Sequence, residues 1–301
     1  MLFIVLCLIF TLMRIIPGDP ARAMLEEDAS EEEVAALREE MGLNDPLIVQ
    51  FLRYMKDFIR GDWGVSMYNR KPVFENIRNR MEPTILVTLY STFLSVIFGI
   101  PFGIISARRR NTFADYTLTT MSVLGNSIPM FWLGIMCVYF FGVRLQWFPV
   151  QGYTPIAEGG IWKSLYSLTM PAAALAFGHI GGLTRYTRSM MLDVMSKDYV
   201  RTGRAKGLSE NKVYYIHALK NACAPVVTNV GLSITGMLGG STITETVFNI
   251  PGMGKLAFDS LNRRDYTQEQ AIILFVAILF IFTNILLDIV YKLLDPRIEL
   301  D

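Results

Sequence analysis

Side chains able to do covalent chemistry are scarce in this chain. His179 and His217 are its two histidines, and Cys7, Cys137 and Cys223 its three cysteines. A metal site needs several His, Cys or carboxylate ligands at close spacing, and none stands at ligand spacing from His179. The cysteines lie in or beside apolar segments at no ligand-like interval, as small inert hydrophobes do. General acid–base machinery is poorly supplied. The phosphate-cradling pattern G-x-x-x-x-G-K-[ST] is absent, and Gly252-Met253-Gly254-Lys255 lacks its spacing. Neither H-E-x-x-H nor G-x-S-x-G occurs. The sequence therefore predicts no catalytic residue, no metal and no cofactor in this chain. A formal net charge of +1 and basic runs without interleaved aromatics give no case for nucleic acid.

The chemistry that remains is that of charged recognition. Lys197-Asp198-Tyr199-Val200-Arg201-Thr202-Gly203-Arg204-Ala205-Lys206-Gly207-Leu208-Ser209 is the most charged run in the second half of the chain. It reads as two short helices with a break between them. Ser196 is placed to cap the first, and Asp198 suits the positive end of its dipole. Gly207 can take the left-handed turn that ends it. Ser209 can cap a second helix running to about Asn221, with Pro225 beyond. Tyr199, Gly203 and Lys206 share one face of the first helix, and Arg201, Arg204 and Leu208 the neighbouring one. Gly203 costs a helix interior roughly 1 kcal/mol relative to Ala, which a close neighbour would explain. A solvated loop between membrane helices and a docking surface both fit these residues.

The elements that position this run are apolar. The chain has 301 residues, 52% hydrophobic, and several runs approach or reach the ~20 residues needed to span a bilayer. The fold expected is an all-α polytopic membrane protein with six transmembrane helices. The spans fall at 1–16, 84–106, 116–143, 168–190, 222–245 and 270–294. Residues 17–83 form a polar extracytoplasmic insertion with at least two amphipathic helices. Ser30 and Glu33 make a capping box for one, and Ile48, Phe51, Leu52, Met55, Phe58 and Ile59 form the apolar face of the next. Residues 84–301 form a core of five spans with a cytoplasmic loop at 190–222. Arg108, Arg109 and Arg110 on a short loop mark the cytoplasmic side, so both termini are cytoplasmic. Gly99, Pro101 and Gly103 kink or thin the second span.

Within the spans, His179 either packs against a partner or lines a wet path. Thr228, Gly231, Thr235, Gly239 and Thr242 fall along one side of the fifth span, with Asn229, Ser233, Gly236 and Gly240 beside them. Val230, Ile234, Met237 and Leu238 occupy the other side. Close helix packing and a water-filled path both account for the stripe. Asp288 can pair with Lys292 one turn on.

Arg201-Thr202-Gly203, Gly207 and Leu219 resemble the cytoplasmic coupling motif, the E-A-A motif, of ABC importer permeases. The peptide branch of that family reads R-T-A-R-A-K-G-L-S, matched from Arg201 to Ser209 except at Gly203. His217 and Lys220 stand where the motif has Ile and Pro. Ile16-Pro17-Gly18-Asp19-Pro20-Ala21, Met41 to Pro46, Arg60 to Ser66, Ser127 to Ile135, Glu245 to Gly254 and Leu294 to Arg297 resemble further stretches of the same family, in its order. The chain is thus similar to the first permease subunit of the dipeptide, oligopeptide and nickel importers. Relatives usually begin with a basic cytoplasmic stretch, so a trimmed or differently started chain is expected.

The resemblance implies a type I ABC importer permease fold in a bacterial plasma membrane. It implies a second homologous permease, two ABC ATPase subunits that carry ATP and Mg, and an extracytoplasmic solute-binding protein. Asp198, Tyr199, Arg201, Thr202, Gly203, Arg204, Ala205, Lys206, Gly207 and Leu208 would dock the ATPase. Asn126, Ser127, Met130, His179, Thr228, Gly231, Thr235, Gly239, Thr242 and Glu245 would line the path for a peptide, by alternating access. Nickel, glutathione or an opine are the other cargoes the family implies. An ion-coupled secondary transporter is disfavoured because most charges lie near segment ends, and no nucleophile–base set supports an intramembrane hydrolase.

Overall fold

The computed structural model describes residues 2–15, 19–25 and 30–294. Among these residues the chain is helical, with one isolated antiparallel bridge between Val65 and Pro72. It divides into two compact units, Met1–Glu82 with Pro251–Phe280, and Pro83–Ile250 with Ile281–Asp301.

The first unit holds α1 (Leu2–Ile15), α2 (Pro20–Met24), α3 (Glu31–Glu40), α4 (Leu47–Ile59), α12 (Met253–Asn262) and the first turns of α5 (Val73–Arg108) and α13 (Tyr266–Leu294). With 14 residues α1 is about 21 Å long, short of a ~30 Å hydrocarbon core. The break predicted at Ile16-Pro17-Gly18 lies outside the described residues. Ser30 and Glu33 form the expected capping box: the Ser30 amide donates to Glu33 Oε2 at 2.8 Å, and the Glu33 amide donates back to Ser30 Oγ at 3.3 Å. The bond from the Ser30 amide favours the charged carboxylate and holds Glu33 below the usual carboxylate range. The predicted apolar face of α4 splits in two. Phe51 packs on Phe10 of α1 with ring centroids 5.3 Å apart, and Phe58 packs on the buried cluster of Leu6, Ile9 and Leu274. Ile48, Leu52 and Ile59 stay exposed. Buried Asp265 opens α13, accepting from the Gln268 amide at 3.1 Å, and ties down the 60s loop through Ser66 Oγ at 2.5 Å and the Met67 amide at 3.1 Å.

The second unit holds the rest of α5, then α6 (Phe113–Ser127), α7 (Met130–Cys137), α8 (Ile156–Met195), α9 (Asp198–Ala205), α10 (Glu210–Lys212) and α11 (Leu219–Val247). Gly99 and Gly103 thin α5 where it meets α8. A Cβ at Gly103 would stand 2.7 Å from the Thr184 carbonyl oxygen, and one at Gly99 3.0 Å from Leu183 Cβ.

The third predicted span is not one straight helix. Its two halves meet at 99°, and α7 continues as a π-helical stretch, Val138–Arg144. Pro129 is the cause, because it lacks an N–H and drives the preceding residue out of the helical region. Ile128 accordingly takes φ −79° and ψ 123°. The helix expected to end near Asn221 also differs. From Glu210 it passes through a π-helical stretch, Val213–Ala218, into α11, with Pro225 inside. Membrane helices tolerate such a proline where neighbours and local adjustments satisfy the freed carbonyl. Asp288 and Lys292 are both exposed and form no ion pair, so that predicted contact is not made.

By length and composition, Val73–Arg108, Glu210–Gly239 and Tyr266–Val290 can each cross a membrane, and the bent α6–α7 pair makes a fourth if it is one broken span. The protein is a multi-pass membrane protein.

Candidate functional site

The charged run is held from below by apolar anchors. Val200 of α9 and Val213 just beyond α10 are buried. Ala218 and Ala222 join Met191 and Val194 of α8 and Ile104 and Ala107 of α5 in one buried cluster. Asp198, Tyr199, Arg201, Thr202, Arg204, Ala205, Lys206 and Gly207 are exposed, while Gly203 and Leu208 are half-buried. Gly207 takes φ +82°, the left-handed turn its sequence position predicts. Arg204 spans that turn, donating from Nε and Nη2 to the Glu210 carboxylate at 2.9 and 3.2 Å. Arg108 reaches the same segment through Asn211 Oδ1 at 2.9 Å. A Cβ at Gly203 would meet only Leu208 Cδ1, at 3.4 Å, so space above the helix face is open.

Ser196 does not cap α9. It closes α8 instead, its hydroxyl donating to the Asp193 carbonyl at 2.7 Å, and Lys197 takes the N-cap position without a side-chain cap. Helix α8 runs to Met195, so the C-terminal demand reaches Ser196 first.

Beside the anchor cluster lies a polar knot that the sequence did not reveal. The Asp115 side chain is 3% exposed and receives two bonds from Arg188, Nε to Oδ1 at 2.7 Å and Nη2 to Oδ2 at 2.8 Å. Ser106 Oγ donates to Oδ1 at 2.5 Å, and the Asn111 amide to Oδ2 at 2.9 Å. One carboxylate so ties α5, the 109–112 turn, α6 and α8 together. Ser106 precedes the anchor Ala107, and Arg188 stands three residues before the anchor Met191.

A cavity of about 420 Å³ forms among α6, α7, α8 and α11. It draws together Asn126, Met130 and His179 of the predicted path, joined by Tyr186, Asn229 and Ser233. Small residues permit the approach: a Cβ at Gly181 would lie 2.5 Å from the Ser122 carbonyl oxygen. With its amide nitrogen turned toward Gly178, Asn126 donates to the Gly178 carbonyl at 2.7 Å and its oxygen accepts from Arg185. The remaining path candidates lie elsewhere. Ser127 is exposed and donates to the Val123 carbonyl at 2.9 Å. Thr228 and Thr235 turn their hydroxyls to the Ala224 and Leu232 carbonyls at 3.0 and 2.8 Å. Gly231 faces the Leu287 side chain, and Gly239 faces open space. Thr242 Oγ1 donates to the Gly239 carbonyl at 3.4 Å. Glu245 is fully buried and accepts from Thr84 Oγ1 at 2.7 Å. Met237, on the side read as apolar, is also fully buried, its sulfur accepting from Thr92 Oγ1 at 3.4 Å. Asn229 and Ser233 lay one step round the helix from the predicted stripe. A tertiary neighbour, His179 on α8, selects them, and no periodicity within one helix carries that signal.

A multi-pass helical protein with a polar cavity among its helices and a charged, core-anchored loop has the build of a transport permease. The chain belongs to the family described as binding-protein-dependent transport system inner membrane component, which matches residues 99–300, and the N-terminal part of such a membrane component matches residues 1–88. It is 42% identical over 291 residues to the probable peptide ABC transporter permease protein y4tP of Sinorhizobium fredii, covering 97% of this chain and 93% of that one. The oligopeptide transport system permease protein AppB of Bacillus subtilis is 42% identical, covering 96% of this chain and 92% of its own. The glutathione transport system permease protein GsiC of Escherichia coli is 41% identical, covering 99% and 94%. Among solved structures, an inward-facing MetNI methionine ABC transporter superposes with TM-score 0.61 at 16% identity, over 73% of this chain and 97% of that one, a likeness of fold.

Proposed function

We propose that this chain is the translocation subunit of an ATP-driven importer of peptides. It would work with a second homologous permease, two ABC ATPase subunits and an extracytoplasmic solute-binding protein. The single observation that carries the reading is the exposed face of α9, α10 and the Gly207 turn, seated on a core cluster shared with α5 and α8. A push on that face has a packed route into two long helices, because close-packed side chains transmit displacement. Nucleotide-driven closure of the ATPases would move α9 and α10, and the α5–α8 pair would carry the movement to the cavity at Asn126 and His179. Access would then alternate between the two sides of the membrane. The cargo proposed is a peptide, on the strength of the peptide and oligopeptide relatives. Glutathione is a second reading, favoured by the Escherichia coli relative.

The test is uptake into vesicles holding the assembled transporter and its binding protein. Labelled oligopeptide, dipeptide and glutathione would each be offered with ATP inside the ATPase-bearing compartment. ATP-dependent accumulation that persists with an ionophore supports the importer, and the accumulated compound identifies the cargo. Accumulation that collapses with the ion gradient and ignores ATP would overturn it.

A further inference from the structure

A groove in the first unit has an occupant its chemistry can name. An open cavity of about 650 Å³ lies between α1 and α4, with Thr11, Arg14, Ile15, Leu47, Ile48 and Phe51 in its lining. Exposed apolar side chains line it from both helices. On α4 they are Leu47, Ile48 and Leu52, at 59%, 74% and 60% exposure, and on α1 Ile15, at 71%. Outside the lining, Leu8 and Leu12 continue from Ile15 at helical i, i+4, i+7 spacing and are also exposed, the face a membrane helix turns to lipid.

At the rim stands a guanidinium held in place from one side. Arg14 Nε donates to Gln50 Oε1 at 3.0 Å, and its Cζ lies 4.8 Å over the Phe10 ring. Gln50 is itself buried and fixed, its amide donating to the Leu43 and Asp45 carbonyls at 3.0 and 2.8 Å. Among the described residues Arg14 has no carboxylate partner, whereas nearby Arg38 is paired with Asp19 at 2.8 Å. The two terminal nitrogens of Arg14 are thus left as donors beside an apolar trough. A guanidinium fork suits a phosphate oxygen pair, and a simple soluble anion would have no use for the apolar lining.

We propose that this groove binds a phospholipid, its phosphodiester on Arg14 and an acyl chain lying along Ile15 of α1 and Leu47, Ile48 and Leu52 of α4. The inference does not depend on which cargo the transporter carries. The site would fasten α4 of the 17–83 segment to the bilayer beside α1.

The experiment uses the assembled transporter in mild detergent, with native mass spectrometry counting retained phospholipid and added dioleoyl-phosphatidylglycerol as the probe. Arg14→Gln should weaken probe binding at least about tenfold, the scale of one hydrogen bond to a charged group, and Arg14→Lys should keep most of it. Ile48→Glu, on a residue 74% exposed, leaves Arg14 in place and should also expel the lipid. A photoreactive residue at position 52 should cross-link to phospholipid. Unchanged lipid retention in both Arg14→Gln and Ile48→Glu would overturn the proposal. So would a position-52 cross-link to a protein subunit, or displacement of the probe by millimolar inorganic phosphate.

Discussion

Gly203 sits on the face of α9 that we propose meets the ATPase. The only atom within reach of an added Cβ is Leu208 Cδ1, at ordinary contact distance of 3.4 Å. Gly203→Ala should therefore leave ATPase retention and uptake unchanged, and raise helix stability by up to about 1 kcal/mol. Gly203→Trp should strip the ATPase and abolish uptake while the chain still inserts, since disrupting a central desolvated contact can cost roughly 2 kcal/mol or more. Lys197 is half exposed and pairs with Asp193 at 3.2 Å, and an exposed pair of this kind contributes only about 0–1 kcal/mol. Lys197→Ala should be mild. Bound ATPase in purified complexes and peptide uptake in vesicles are the readouts, and full retention by Gly203→Trp would remove this face from the docking surface. Gly207 could be read from sequence because its role is local, a backbone angle of φ +82°. Ser196 could not. Its role depends on where α8 stops, and 40 residues of mixed polarity with an internal break at Gly160 give no local end signal.

At the scale of elements, the Asp115 knot explains how helices with few ridges keep their places at the loop end of the second unit. The carboxylate and Arg188 are 73 positions apart in sequence, so periodicity on either helix says nothing of their pairing. Hydropathy also passed over Pro129, because apolar residues run through it on both sides while the backbone turns by 99°. Both features are tertiary: one needs a partner helix, the other a choice between kink and break. Asp115→Asn removes the charge that holds a guanidinium 26% exposed, and breaking a buried pair from one side costs roughly 3 kcal/mol or more. The expected result is a clearly lowered melting temperature of the purified complex, with ATP hydrolysis less tightly linked to uptake. Ser106→Ala removes one donor of several and should cost only about 1–2 kcal/mol. If Asp115→Asn melted with the wild type and kept tight coupling, the knot would have no part in transmission.

At the scale of the whole molecule, the question is how many times the chain crosses the bilayer. Apolarity alone gives up to four crossings, at Val73–Arg108, the bent α6–α7 pair, Glu210–Gly239 and Tyr266–Val290. We propose six, adding α1 and α8. Helix α1 is short, but Arg14 near its end can extend along the helix to the interface, and a short span is met by local thinning at modest cost. Helix α8 escapes an apolarity criterion for a different reason. Fifteen of its residues, from Ser164 to Val194, are buried against other helices, so its polar groups need not meet lipid. Arg188 is neutralised by Asp115, and Arg185 is engaged by Asn126. A helix shielded in this way can cross with charges that a lipid-facing helix could not carry. The two counts differ in a measurable way. With four crossings, Asn44 and Glu210 lie on the same side, because two spans separate them. With six, Asn44 follows one span and Glu210 follows four, so they lie on opposite sides. Single cysteines at these positions, in a background with Cys7, Cys137 and Cys223 replaced by alanine, would be labelled with a membrane-impermeant maleimide in sealed vesicles. The expected outcome is that Asn44→Cys labels from the outside and Glu210→Cys only after the membrane is opened. Labelling of both from the outside would return the chain to four crossings and place α9 and α10 away from any cytoplasmic ATPase.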